Sequence, residues 1–369
     1  MIKSDNSKFR DYMWILIVLI ASRLVLAFIG LVSRHFLHPG GHFLSDLIAI
    51  WAQWDAGWYF DIAQNGYKYN PHYNPLFAGQ ENYAFFPLYP LLMNLLSYIV
   101  HDYTIAGIII SNVFLYIACV FLYKIYKEFF GEKHPLEIVL ILIIFPASFL
   151  FSCVLTESLY FSMILICFYY AKKEKWLVVG IVGFFVALTR NIGVFLIIPL
   201  ILEHLKNNKY KILEIKYSIL YLLFIPAGFM VWGLYLYSQT GDFLMFKNIQ
   251  HTWGRVSSEP FSVLYNALIS RDFSELFLAM YSIGLIVLIC FKYKNIPIPY
   301  LVYCAYSLFI PLSTSVTSMI RYSIVVFPIY LLIRDYMKNE IARNLLLYTM
   351  AVIQGLFFVF WSSGYPLIF

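Results

Sequence analysis

Hydrophobic runs recur along this chain at the length of a bilayer's hydrocarbon core. Met13 to Val32 carries a single charged residue, Arg23, across the ~20 residues that one membrane-spanning helix requires. Backbone groups in lipid must be bonded within their own segment, so such runs have to be helices. A transmembrane barrel would show short alternating segments instead, and the sequence has none. Composition closes the soluble alternative. Charged residues make up 12% and hydrophobic ones 62%, whereas a soluble domain carries roughly 25% charged residues. The expected fold is all-α, a polytopic transmembrane helical bundle read as one domain over residues 1–369, without linker, low-complexity stretch or repeat.

The first run follows Lys3, Lys8 and Arg10, as in a signal peptide, but it is long enough to span and no small-x-small cleavage site follows, so it is expected to be a retained anchor. Cys119, Cys153, Cys167, Cys290 and Cys304 lie in or beside hydrophobic runs without metal-ligand spacing and read as small core residues. The net charge of +6 is explained by loops rather than by nucleic-acid binding.

Lys and Arg gather in cytoplasmic loops. The basic segments are Lys3 to Arg10, Lys124 to Lys133, Lys172 to Lys175, Lys206 to Lys216, Lys292 to Lys294 and Arg334 to Arg343. Placing all six inside requires even numbers of crossings between them. Met13–Val32 leads out and Ile105–Tyr123 returns, with the short, proline-containing Phe85–Val100 at the outer surface or partly inserted. Leu136–Phe151 and Leu159–Ala171 follow. Trp176–Leu202 is read as two short helices meeting near Arg190. Tyr217–Tyr237, Leu276–Phe291, Pro299–Leu312, Tyr322–Ile333 and Leu345–Trp361 complete about 11 membrane segments with a cytoplasmic N-terminus. Two large extracytoplasmic loops result, 33–83 and 238–275, with Ser313–Arg321, Thr156 and Glu157 on the same face.

The first loop places Leu47, Trp51, Trp54, Trp58 and Ile62 at helical spacing. They predict one interfacial helix closed by Gly66. An anchor helix alone would favour Lys and Arg on its polar face, yet this one carries Asp46, Asp55 and Asp61. Asp55 lies close to the apolar stripe, and a carboxylate desolvated by apolar surface becomes a better general base. In the second loop, Lys247, His251 and Arg255 are spaced by four and would share a face if helical, a cationic surface suited to a lipid phosphate. Ionisable residues within or at the edge of spans are costly and usually functional. Here these are Arg23, Glu157, Arg190 and Arg321. An Arg23–Glu157 structural pair is expected, and a phosphate contact for Arg321.

Several motifs in order resemble the PIG-V-type mannosyltransferases. They are Trp54-Asp55-Ala56-Gly57-Trp58-Tyr59 with Ile62-Ala63 and Gly66-Tyr67, and then Ala84 to Leu92 with its Phe-Phe-Pro-Leu-Tyr-Pro core. Thr156-Glu157-Ser158-Leu159, Thr189-Arg190 with Gly193, Gly241-Asp242 through Phe246, Gln250 with Trp253-Gly254-Arg255, and Arg321-Tyr322 with Phe327-Pro328 follow. The match runs from about residue 45 to 330. Asn191 departs from the family's Thr-Arg-Pro, and the large insertions of eukaryotic members are missing, so a bacterial cytoplasmic membrane is expected rather than a GPI pathway.

The resemblance implies a GT-C fold with an extracytoplasmic active site, a polyprenyl-phosphate sugar donor (mannose in eukaryotic members), an unidentified acceptor that is a glycolipid, glycan or protein, and Asp55 as the catalytic residue. Single displacement is the expected reaction. Arg321, Arg255, His251 and Arg190 are the candidate donor-phosphate ligands, and Trp54, Trp58, Tyr59, Glu157, Gln250 and Trp253 the candidate substrate contacts. No cofactor is called for, nor a metal unless Asp46, Asp55, Asp61 and Glu157 converge. Two other classes remain: a lipid or glycolipid transporter, which predicts a second broken helix at a matching place, and a non-catalytic subunit of a glycosylation complex, in which Asp55 would be replaceable.

Overall fold

The computed structural model describes residues 2–38, 43–67, 82–131, 134–208, 216–337 and 339–365. The first-loop residues 39–42 and 68–81, and parts of the basic segments 124–133, 206–216 and 334–343, lie outside the described residues. Among those described, every regular element is helical. In chain order the α-helices are α1 (Ile2–Leu37), α2 (Phe43–Ala49), α3 (Ala56–Asn65), α4 (Leu88–Val100), α5 (Tyr103–Phe129), α6 (Leu136–Ile144), α7 (Glu157–Lys172), α8 (Trp176–Ala187), α9 (Ile197–Asn207), α10 (Phe224–Thr240), α11 (Met245–Asn248), α12 (Pro260–Ile269), α13 (Phe273–Lys292), α14 (Ile298–Leu312), α15 (Met319–Ser323), α16 (Pro328–Asp335) and α17 (Glu340–Ser362). Five helical stretches are long and apolar enough to cross a membrane: Lys8–Leu37, Tyr103–Phe129, Tyr217–Thr240, Phe273–Asn295 and Glu340–Ser362. Their outward residues, such as Ile17, Leu24 and Phe28 on α1 and Val352 and Leu356 on α17, are exposed hydrophobics. In water they would be a liability; in lipid they are a solvent-matched surface. The chain is an integral membrane protein.

Helix α7 is the centre of the bundle. Every residue from Glu157 to Leu165 is buried, as expected of a helix apolar on all sides. It packs against α5 and α8, α8 in turn against α10, and α1 against α17. Small residues allow the closest approaches. A Cβ on Gly228 of α10 would lie 2.3 Å from the Phe184 carbonyl oxygen of α8.

Two expected spans are not continuous helices. Leu136–Phe151 divides into α6 and a 3-10 turn at Ser148–Ser152. Pro146 is the cause: the residue before a proline is pushed out of the helical region, and Phe145 sits at φ −54°, ψ 137°. The freed carbonyls of Ile143 and Phe145 accept from Gln354 Nε2 of α17 at 2.9 and 3.0 Å. Tyr322–Ile333 likewise divides into α15 and α16 around Pro328. Here the Tyr330 and Tyr303 hydroxyls donate to the carbonyls of Ile324 and Val325. Broken helices persist in membranes when side chains satisfy the released groups. The expected break near Arg190 is present, with α8 ending at Ala187 and a 3-10 turn over Asn191–Leu196 leading into α9.

The ends of the bundle differ in chemistry. At one end Lys127 meets Asp11 and Lys173 meets Glu128, while Arg334 and Arg343 meet Glu137. At the other end, α1 and α17 finish together through the Ser33–Ser362 hydroxyl pair at 2.8 Å, and Arg34 bonds Asp46. This second end carries Asp55.

Candidate active site

The expected single helix through Leu47 and Ile62 is broken into α2 and α3. Its carbonyls between the two are bonded elsewhere: Ile50 accepts from the Trp361 indole at 2.9 Å and Trp51 from the Val154 amide at 2.9 Å. Trp54 takes up the change of direction at φ +54°, in the left-handed region that costs an L-residue ~1–2 kcal/mol. Asp55 follows directly at the N-terminus of α3. Gly66 closes α3 in a positive-φ conformation, as expected.

This bend aims Asp55 at an arginine instead of an apolar stripe. Arg321 Nη1 donates to Asp55 Oδ2, and Arg321 Nε donates to Glu157 Oε1. Arg321 is carried on α15, and Ser318 just ahead of it is left-handed at φ +65°. Thus two of the four non-glycine left-handed residues among those described lie just before Asp55 and Arg321, as strained backbone often does at functional sites. Glu157 is fully buried at the first turn of α7, where the helix N-terminus favours a carboxylate. Its Oε1 also lies 3.4 Å from Arg190 Nη1. The expected Arg23–Glu157 pair is not formed; Arg23 is buried beside Cys119 and Cys153. The α8–α9 break supplies Arg190 in an extended conformation, φ −151° and ψ 147°, the geometry that a following proline would impose and that Arg190 adopts here with Asn191 in that place.

Arg255 completes the cluster. The Lys247–His251–Arg255 face does not form, because α11 gives way to a 3-10 turn and Gly254 reverses the chain at φ +68°. Lys247 and His251 are therefore exposed, with His251 Nδ1 at 2.5 Å from the Asn248 carbonyl. Arg255 turns inward and donates from Nη1 to the Tyr322 hydroxyl at 2.8 Å. Tyr322, unremarked as a site residue in the sequence, lies under two guanidiniums: Arg190 Cζ is 5.2 Å and Arg255 Cζ 5.9 Å from its ring centroid.

Aromatic side chains stand beside this charge. Trp58 stacks on Phe85 at 5.7 Å, and Trp253 meets both edge-on at 5.9 and 6.2 Å. All three are partly open. Phe85 is the member the sequence reading did not single out. Tyr59 is not a wall of this space: it is buried between Phe85 and Tyr89, and burial pushes its phenol up to about 12. Trp54 is 44% exposed, and Gln250 is half-buried with its side-chain amide on the Phe246 carbonyl. Asp46 is held by Arg34 and Asp61 by Asn65 and Asn82. Among the described residues no three His, Cys, Asp or Glu side chains gather as a metal site.

No protein-family model matches the chain, and no curated protein matches it. Among solved structures it is similar to the crystal structure of ArnT from Cupriavidus metallidurans bound to undecaprenyl phosphate, with a TM-score of 0.54 and 13% identity. The likeness covers 92% of this chain and 63% of that one. At this identity it shows the fold alone, an ArnT-like GT-C fold, and does not reach the PIG-V-like subtype.

Proposed function

We propose that the protein transfers a hexose, mannose in the first instance, from a polyprenyl-phosphate donor to an acceptor hydroxyl by single displacement. The charge balance of the cluster carries this reading. Arg321 and Arg190 meet Asp55 and Glu157, while Arg255 is held on the Tyr322 hydroxyl within electrostatic reach of Asp55, so the cluster sets three cations against two anions and one positive charge is left over. A partly desolvated site with one surplus positive charge is complementary to a phosphodiester monoanion, which is what a polyprenyl-phosphate sugar presents. The similarly folded ArnT was solved with undecaprenyl phosphate bound, which supports a ligand of that class.

Asp55 is the acid that can meet an acceptor: its side chain is 33% exposed, against none for Glu157. As the acceptor oxygen attacks the anomeric carbon, the bond from that carbon to the phosphate oxygen breaks. Asp55 takes the hydroxyl proton, and the electron pair leaves on the phosphate. Arg255 and Arg190 stabilise that charge. Arg321 is already engaged by both carboxylates, so its part is to hold Asp55 in place and to keep Glu157 buried as its counter-ion. Trp58, Phe85 and Trp253 form the apolar side against which a sugar ring would lie.

Topology follows the same reading. Lys124, Lys127, Lys172 and Lys173 lie at the end opposite Asp55, so the positive-inside bias puts them in the cytoplasm and the site, with loops 33–83 and 238–275, outside. The short helices then complete about 11 membrane segments. The test is transfer of labelled mannose from a polyprenyl phosphate in membranes with and without the protein, against other polyprenyl-phosphate sugars. Label appearing in a new product only with the protein supports the reading; none from any such donor refutes it.

A further inference from the structure

Tyr322 follows Arg321 on α15 and is only half-buried, so it borders the open part of the cluster. Its ring lies beneath the guanidiniums of Arg190 and Arg255, and its oxygen accepts from Arg255 Nη1 at 2.8 Å. A phenol that accepts one hydrogen bond retains its own proton for donation, and the accepted bond polarises that O–H. Among the described residues no protein acceptor takes this proton. Arg321, the neighbour expected to reach a phosphate, is committed to Asp55 and Glu157.

We propose that Tyr322 is a leaving-group residue: its O–H, steered by Arg190 and Arg255, donates a hydrogen bond to the phosphate oxygen that gains charge as the sugar departs. This rests on the sugar-transfer reading above. The atoms balance without a proton leaving Tyr322. The acceptor oxygen bonds the anomeric carbon, the carbon–oxygen bond to phosphate breaks, the acceptor proton passes to Asp55, and the phenol only stabilises the phosphate monoester that forms. A donor aimed at the atom where charge develops acts mainly in the transition state.

The experiment uses Tyr322→Phe, which keeps the ring between the two guanidiniums. Turnover should fall about 100-fold, the loss typical of removing one such donor, with KM for the donor little changed. In parallel, binding of a polyprenyl monophosphate to the purified protein should weaken while binding of the matching polyprenol does not. Unchanged turnover in Tyr322→Phe overturns the inference and leaves the transferase reading standing. An equal loss of monophosphate and polyprenol binding also overturns it, as a structural effect. A wild-type protein that transfers no sugar, yet binds monophosphate through Tyr322, refutes the transferase reading and retains the phosphate contact. Should Tyr322→Phe fail to fold, 3-fluorotyrosine placed at 322 keeps the hydroxyl and alters its acidity, and a turnover insensitive to that change overturns the inference.

Discussion

Asp55 and Glu157 are joined through one guanidinium: Arg321 bonds the first by Nη1 and the second by Nε. One acid lies on a bent loop segment and the other at the head of the most buried helix. Their arginine comes from a third element, and none of the three can move without disturbing the others.

Glu157→Gln should be the most damaging single change at the site. It leaves Arg190 and Arg321 buried without their shared anion, and breaking a buried pair costs roughly 3–5 kcal/mol. Thermal unfolding in detergent should show a large drop for Glu157→Gln. Adding Arg190→Met should recover part of it, since fewer uncompensated charges then remain.

The break at Arg190 depends on Gly193. A Cβ there would lie 2.4 Å from the Val186 carbonyl oxygen, and overpacking of this kind costs ~1–3 kcal/mol. Gly193→Ala should lower both the unfolding temperature and the transfer rate, because Arg190 would be displaced. Gly57→Ala, with nothing within 4 Å of its Cβ, should leave the unfolding temperature at or above that of the wild type.

How far the sequence led can be judged from these residues. The helical membrane bundle was legible from run length and composition, and the break near Arg190 from the mismatch between one long run and the charges flanking it. Asp55, Glu157, Arg190, Arg255 and Arg321 were each singled out, but their grouping was not. The expected partner of Glu157 was Arg23, because spacing says nothing about which helices are neighbours. Trp54's left-handed turn was invisible because no Gly or Pro marks it; the bond from Trp361 to Ile50 and the one from Val154 to Trp51 impose it. The His251 face failed for a readable reason, the glycine at 254. Pro146 and Pro328 were likewise visible signs that two runs were not single helices.

Ser318 holds its left-handed backbone at φ +65° ahead of Arg321. Ser318→Gly should stabilise the protein by roughly 0.5–1 kcal/mol, the relief of the left-handed penalty less the added freedom of glycine in the unfolded chain. Ser318→Val, β-branched at the same φ, should lower the unfolding temperature.

Tyr59 gives a pH-dependent signature. Burial raises its phenol from 10.0 to about 12, so the folded protein keeps a proton that the unfolded chain loses earlier. Its contribution to stability is complete below about pH 10 and is lost as the pH rises through about 12. Alkaline unfolding of Tyr59→Phe should be less steep over that window than that of the wild type.

Trp253 makes edge contacts to both Trp58 and Phe85. Trp253→Ala should reduce kcat/KM for the acceptor or donor sugar about tenfold, close to the value of one or two aromatic contacts. The unfolding temperature should change little, because Trp253 is partly exposed.

The central claim, that Asp55 takes the acceptor's proton in a polyprenyl-phosphate-dependent sugar transfer, is tested most directly by one comparison. Transfer of labelled mannose from a polyprenyl phosphate is measured in membranes holding equal amounts of the wild type and Asp55→Asn, with donor binding measured alongside. The account predicts that Asp55→Asn binds the donor and loses transfer by at least about 100-fold, within the range assigned to general-base catalysis. Equal transfer by the two proteins would contradict it.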